Sequence, residues 1–294
     1  MTRLQKGLLL AFIGGLLFGG MATLGGWAAE TLDPVRLASI RMSIAGLVLA
    51  PIAFRRRAVI KPVLAGVATI GVLQILINTS FYAAIPRLGV GPAVGVEFIA
   101  PALVVIWDRV AGHEHPRPVT WAAVTGAVIG VGFLVEAWDF ANLDLVGLGY
   151  GFAAAVFLAT YLRKGQTVGE DADGISIASG ALVVAGLIGL FIARPWDAPT
   201  NLSSQEIWAV IALGTIGMAI PLTMEISSLE RAPARLVGIV ITFEPVAAAL
   251  TAWFFLGEVL TALQIGGIAL IVVSIGAISL TTSQPIPEPE PEPA

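Results

Sequence analysis

Val90-Gly-Pro-Ala-Val-Gly-Val-Glu-Phe-Ile-Ala-Pro101, continuing through Ala102-Leu-Val-Val-Ile106, decides how this chain folds. As a helix the run is long enough to cross the roughly 30 Å hydrocarbon core of a bilayer. It nevertheless carries a carboxyl, Glu97, near its middle. An ionisable group at that depth costs roughly 2.5–3.5 kcal/mol on insertion scales. Four residues later Pro101 has no N–H to offer the Glu97 carbonyl. Side chain and carbonyl together make a polar notch in an apolar helix. Such a notch is tolerated at membrane depth only where it is buried in protein or faces a wet cavity. It is expected to line a substrate cavity; the alternative is a structural carboxyl satisfied by a neighbouring helix.

The rest of the composition agrees with a bilayer. The 294 residues are 57% hydrophobic and only 12% charged, against roughly 25% charged for a soluble domain, and mean hydropathy is +0.90. There is no cysteine, which excludes a disulfide framework, thiol chemistry and a cysteine-based metal site. The histidines, His113 and His115, sit in the polar run Gly112-His-Glu-His-Pro-Arg-Pro118, whose spacing and prolines describe a solvated loop better than a metal site. The first apolar run, 7–29, is too long for a signal-peptide core and is followed by more spans, so it is expected to be a retained helix.

Ten apolar segments follow one another: 7–29, 36–54, 62–83, 90–109, 119–136, 146–162, 175–193, 206–227, 234–256 and 262–281. Most have about the twenty residues a spanning helix needs. An even number puts both termini on one side. Twelve basic residues fall on the side of the termini: Arg3, Lys6, Arg55, Arg56, Arg57, Lys61, Arg109, Arg117, Arg163, Lys164, Arg231 and Arg235. Only Arg36, Arg87 and Arg194 fall on the other, and Arg41 lies within a span. That bias predicts cytoplasmic termini. The end of the chain, 284–294, alternates proline and glutamate and is expected to be a disordered tail.

The two halves are related. Pro101 pairs with Pro245 and Glu114 with Glu258 at an offset of 144; Gly7 pairs with Gly147, and Ala45-Gly46-Leu47 with Ala185-Gly186-Leu187, at 140. Each half then holds five helices, and an odd number makes the second copy enter the membrane from the opposite side. The expected fold is an all-α integral membrane protein of ten transmembrane helices, two inverted five-helix repeats around a central cavity, with boundaries at 1–138, 139–283 and a 284–294 tail. Inverted repeats of this kind are characteristic of secondary transporters, with sites near the midplane.

Particular stretches carry a family resemblance. Asn78 to Tyr82, Ala93-Val-Gly-Val-Glu-Phe98 with Pro101, Met224-Glu225, Thr242-Phe-Glu-Pro-Val-Ala247 and Phe255-Leu-Gly-Glu258 resemble the EamA family of the drug/metabolite transporter superfamily. Within it the chain is most similar to bacterial amino-acid exporters of the threonine/homoserine type, among relatives that export aromatic or broader sets of amino acids. The resemblance covers all ten segments. It implies two five-helix halves around a cavity, cytoplasmic termini, a bacterial inner-membrane location and export of neutral amino acids such as threonine, methionine and aromatic ones. One departure is Ala100, which stands where the second half has Glu244; Glu97, three residues earlier, is placed to compensate.

Candidate substrate-binding residues come from the polar and aromatic faces of the segments. Gln74, Asn78, Phe81 and Tyr82 share one face of the third segment by helical spacing. They offer amides and an aromatic wall to a ligand, or equally, hydrogen bonds between helices. Tyr150, Phe157 and Tyr161 form a stripe on the sixth segment, read either as packing or as cavity wall, with Tyr161 also a candidate for the interfacial belt. Arg41 could hold a substrate carboxylate, snorkel outward, or pair with a buried glutamate. Its place in Leu37-Ala-Ser-Ile-Arg41 is one the family fills with arginine across many substrates, which favours a structural role. Glu244 either serves the site or bonds nearby backbone at a kinked helix; Glu225 sits near the end of the eighth segment before Ser227 and Ser228; and Glu258 is expected to cap a helix end. Trp27 and Trp138 fall where interfacial anchors belong. Gly15-xxx-Gly19, Gly126-xxx-Gly130 and Gly147-xxx-Gly151 are expected to be close-packing faces.

There is no phosphate-binding Walker loop, no paired metal motif and no nucleophile–base pair. The basic residues follow topology rather than forming a nucleic-acid patch. The expected activity is secondary transport of a small molecule, with no cofactor, no metal and no catalysis. The alternatives are another small-metabolite or drug cargo, or a non-transporting scaffold. A monomer suffices for this reading, and the oligomeric state is left open.

Overall fold

The computed structural model describes residues 1–21, 33–111, 116–136, 144–194, 203–257 and 259–281. Trp27, His113, Glu114, His115, Trp138, Glu258 and the 284–294 tail, to which roles are given above, lie outside the described residues. Among the described residues every regular element is helical. The order is α1 (Arg3–Gly20), α2 (Pro34–Arg55), α3 (Leu64–Leu88), α4 (Val90–Glu97), α5 (Ala100–Val110), α6 (Pro118–Leu134) and α7 (Leu145–Val168). Then come α8 (Gly174–Ala193), α9 (Ser204–Gly214), α10 (Ile220–Leu229), α11 (Ala234–Ile241), α12 (Phe243–Leu256) and α13 (Ala262–Thr281). A short helical turn, Arg57–Ile60, and a 3-10 turn, Lys61–Val63, lead into α3, and a π-helical turn, Thr215–Ala219, joins α9 to α10.

Each of the ten apolar segments is helical in its described part. Among the described residues, seven stretches are long and apolar enough to cross a membrane: Pro34–Arg55, Arg57–Leu88, Val90–Val110, Leu145–Val168, Gly174–Ala193, Ser204–Leu229 and Ala234–Phe255. Pro118–Leu134 and Ala262–Ile278 are apolar and shorter. The chain is a multi-pass membrane protein.

The helices start where the sequence supplies a cap. Thr2 and Gln5 form a reciprocal capping box before α1, as Ser203 and Glu206 do before α9. Asp33, Asp144 and Asp173 accept backbone N–H groups at the starts of α2, α7 and α8, which satisfies donors that the helix ladder leaves open. Asp144 also accepts from Arg87 Nη1 at 2.7 Å. That bond first, and then the N–H groups of Gly147 and Val146, hold its carboxyl below the usual carboxylate range.

Small residues set how closely the helices cross. A Cβ on Gly46 would lie 2.5 Å from the Leu182 carbonyl oxygen and 3.2 Å from Gly186 Cα, and one on Gly186 would lie 2.9 Å from the Met42 oxygen and 3.2 Å from Gly46 Cα. So α2 and α8 meet backbone to backbone, and Ser43 Oγ adds a bond to the Gly186 carbonyl at 3.0 Å. The three spaced glycine faces also lie against neighbouring helices, partly on backbone and partly on side chains. Gly15 and Gly19 lie against Glu244 of α12, Gly126 and Gly130 against α13, and Gly147 and Gly151 against Leu88 and Val96.

Two helices are broken at matching places. The first break falls at Phe98 and Ile99, between α4 and α5, just before Pro101. The second falls at Thr242, between α11 and α12, just before Glu244 and Pro245; Thr242 Oγ1 donates to the Ile239 carbonyl at 2.6 Å. Proline in the first turn of the second half-helix lacks the N–H that would continue the ladder, so the helix starts afresh there.

Candidate functional site

The breaks present carboxyls to the interior. Glu97 is the last residue of α4, Glu244 lies in the first turn of α12, and Glu225 projects from α10. Glu97 lies deep in the bundle within electrostatic range of both Glu244 and Glu225. Arg41, from the middle of α2, lies within range of Glu244. Its Nη1 donates to the Tyr82 hydroxyl of α3 at 2.6 Å and its Nη2 to the Gly217 carbonyl at 3.4 Å, while Nε is buried without a hydrogen-bond partner. Gly217 belongs to the π-helical turn, where a carbonyl is free to turn from the helix ladder toward the guanidinium.

The side chains sort into two layers. Glu97, Glu244, Arg41, Asn78, Phe81, Tyr82 and Phe157 keep partial accessibility. Protein surrounds Glu97 and Glu244 deeply. Glu225, Gln74 and Tyr161 are buried behind them, Tyr161 completely. The Tyr161 hydroxyl and the Glu225 carboxyl face one another with Gln74 beside them, although neither Tyr161 Oη nor Glu225 Oε1 completes a hydrogen bond of good geometry.

The third segment's polar face is divided. Tyr82 reaches Arg41, and Phe81 stacks edge-on against Tyr82 at 5.3 Å between ring centroids. Asn78 Nδ2 instead donates to the Gln74 carbonyl of its own helix at 3.0 Å, which lowers its value as a donor to a ligand. On α7 the stripe separates: Phe157 packs on the core, Tyr161 is interior and no part of an interfacial belt, and Tyr150 is 41% exposed. Glu225 was placed by sequence at a helix end. The fold makes it a member of the carboxyl cluster, and its position as a carboxyl inside an apolar segment was the available signal.

A recess of about 650 Å³ opens elsewhere, lined by Arg56, Asp173, Ser227, Glu230 and Arg231 among others, and by none of the carboxyl cluster. Its Arg56–Asp173 pair is about 40% exposed, so it belongs to the surface. Among the described residues no group of three or more His, Cys, Asp or Glu side chains has an arrangement suited to a metal ion.

Comparison with known proteins identifies the family and the fold. The signature of the EamA-like transporter family matches residues 5–136 and 145–280. The chain is 30% identical to the threonine/homoserine exporter RhtA of Salmonella typhimurium (strain SL1344) over 214 residues, 71% of this chain and 69% of that protein. It is 32% identical to RhtA of Escherichia coli (strain K12) over 206 residues, 68% of this chain and 66% of that one. An uncharacterized inner membrane transporter, YicL of Salmonella typhimurium (strain LT2), is 22% identical over 94% of this chain and 96% of its own. A solved crystal structure shares the fold with a TM-score of 0.78 at 18% identity, covering 94% of this chain and 97% of that one.

Proposed function

The chain belongs to the EamA-like transporter family, and from that premise we propose that it is a secondary transporter exporting neutral amino acids by alternating access around the Glu97 opening. The observation that carries this is the convergence, within electrostatic range, of a guanidinium and three carboxyls from separate helices. A zwitterion needs both signs. Arg41 supplies a planar fork for a carboxylate, and Tyr82 fixes its orientation. Glu97 suits the ammonium: it ends α4, where helix carbonyls already make the surroundings negative. Glu244 is less available, because the start of α12 and nearby Arg41 both offset its charge.

Two features of the architecture support the alternating part of the reading. The α2–α8 crossing brings Gly46 onto Gly186, residues related by the 140-residue sequence offset. The α6–α13 crossing brings Gly126 onto Leu270, residues related by the 144-residue offset. Equivalent residues meeting at both crossings is what a two-fold axis in the membrane plane requires, with repeats of 1–138 and 139–283. The basic-residue bias orients both termini, and the end of the bundle bearing Arg56, Arg109 and Arg163, toward the cytoplasm. The relatives named as threonine/homoserine exporters support the cargo.

The test is uptake of labelled threonine, methionine and phenylalanine by proteoliposomes, with N-acetylated and amidated analogues as competitors. Competition by the parent amino acids but by neither analogue supports recognition of both charged ends. No uptake of any amino acid across the panel rejects the reading.

A further inference from the structure

Asp108 sits at the far end of α5 and is 1% exposed. It meets Arg163 of α7 at 2.8 Å and Arg235 of α11 at 3.6 Å, both arginines 17% exposed. The cluster therefore joins three helices, and it spans the two sequence halves. Along the helices Asp108 lies roughly 16 Å beyond Glu97, and Arg235 roughly 14 Å before Glu244. Both displacements run toward the basic-rich end of the bundle. Between the carboxyls and this cluster, Gly238 of α11 brings its backbone against Pro101 of α5 and Leu162 of α7, and all three residues are buried. Those three residues form an apolar floor that separates the carboxyls from a sequestered ionic knot.

Burying such a knot does little for stability in itself. Apolar residues of similar volume commonly replace buried ion pairs at no loss, whereas removing one partner strands a charge. Interfaces that rearrange between discrete states, by contrast, commonly do so by exchanging salt bridges. The two ion pairs differ in length, 2.8 Å to Arg163 and 3.6 Å to Arg235. The other end offers a contrast: its Arg87–Asp144 pair is a surface contact, 44% and 34% exposed.

We propose that Asp108, Arg163 and Arg235 form the cytoplasmic latch of the transport path, closed in this structure, which must part for cargo to pass between the cytoplasm and the Glu97 opening. The proposal rests on the orientation given above and not on the identity of the cargo. The chain has no cysteine, so Leu162→Cys places a single reporter in the floor. A membrane-impermeant maleimide is added to inverted membrane vesicles and the labelling rate followed. With the latch intact labelling is slow. Asp108→Asn raises the rate about tenfold by shifting the population toward the parted state, and Asp108→Glu returns it toward the slow value. An unchanged rate in a monodisperse Asp108→Asn protein overturns the proposal. If that variant does not accumulate, Arg235→Gln, which removes the longer ion pair and leaves Arg163 on Asp108, is read the same way. If neither variant folds, the cluster is a folding staple and the latch is rejected. Labelling does not depend on which substrate moves, so a failed uptake panel leaves this result readable.

Discussion

Glu97 and Glu244 are both carboxyls beside a helix break, and their surroundings make them unlike. Glu97 closes α4, where the exposed ends of helix carbonyls repel a further negative charge, and Glu244 opens α12, where backbone N–H groups attract one. On the proposed reading the former receives the substrate ammonium. Glu97→Gln keeps the size and loses the charge, and transport is expected to fall to the level of empty liposomes while the protein remains monodisperse; normal flux in that variant removes Glu97 from the mechanism. At Arg41 the fork matters as well as the charge, because Nη1 is already held by Tyr82. Arg41→Lys keeps the charge and loses the planar geometry. Apparent affinity is expected to weaken about 10- to 100-fold, the effect of one charge-assisted hydrogen bond, with maximal flux less affected. Glu97 stands out in the sequence because no other charge interrupts its apolar run until Asp108. Glu225 was harder to place, since Ser227 and Ser228 beside it read as a helix end. Only the packing of α3 and α7 brings Gln74 and Tyr161 against it.

Helices were legible because the length of an apolar run is local, and the structure adds the caps that start them. Asp33, Asp144, Asp173 and Ser203 each stand just before an apolar run and each caps the helix that follows. The breaks before Pro101 and Pro245 follow equally from a missing N–H. The Asp108 cluster was not legible, because Asp108 adjoins Arg109 near the end of an apolar run and resembles a surface charge until α7 and α11 bury it. Helix crossings are testable in their own right. Gly46→Ala and Gly186→Ala each press a methyl onto backbone of the opposite helix, where no flexible side chain can give way. Each is expected to destabilise by about 1–3 kcal/mol, and similarly if a two-fold axis relates them. Thermal denaturation in detergent measures both; a large loss for one with none for the other argues against equivalent positions. At the start of α7 the expected effect is one of pH. The Asp144 carboxyl is held below its ordinary value by Arg87 and by backbone N–H groups. Its contribution is therefore present above the unfolded pKa of about 3.9 and is lost as pH falls through the folded value. Asp144→Asn should lower the melting temperature slightly at neutral pH, with the gap to the parent closing under acid conditions.

For the whole molecule, the proposed direction of transport depends on which end faces the cytoplasm, and the proposed orientation rests on the distribution of basic residues. Twelve basic residues are expected on one side and three on the other, with Arg41 between them. Folding sharpens the separation. The 25 residues of α3 run from Leu64 to Leu88, roughly 37 Å of helix, so Arg57 and Arg87 lie at opposite ends of a spanning rod. Arg87 reaches Asp144 at one end, and Arg56 reaches Asp173 at the other. Because the natural chain lacks cysteine, Arg57→Cys and Arg87→Cys each give one unambiguous label. Intact cells treated with an impermeant thiol reagent should modify Arg87→Cys at once and Arg57→Cys only after the membrane is opened. The reverse pattern would turn the bundle over. The floor at Pro101, Leu162 and Gly238 would then face outward, and the closed cluster at Asp108 would guard the exit of an exporter rather than its entrance. Labelling of both sites from outside would mean that α3 does not span, and the polar notch at Glu97 would lose the membrane depth from which its function is inferred.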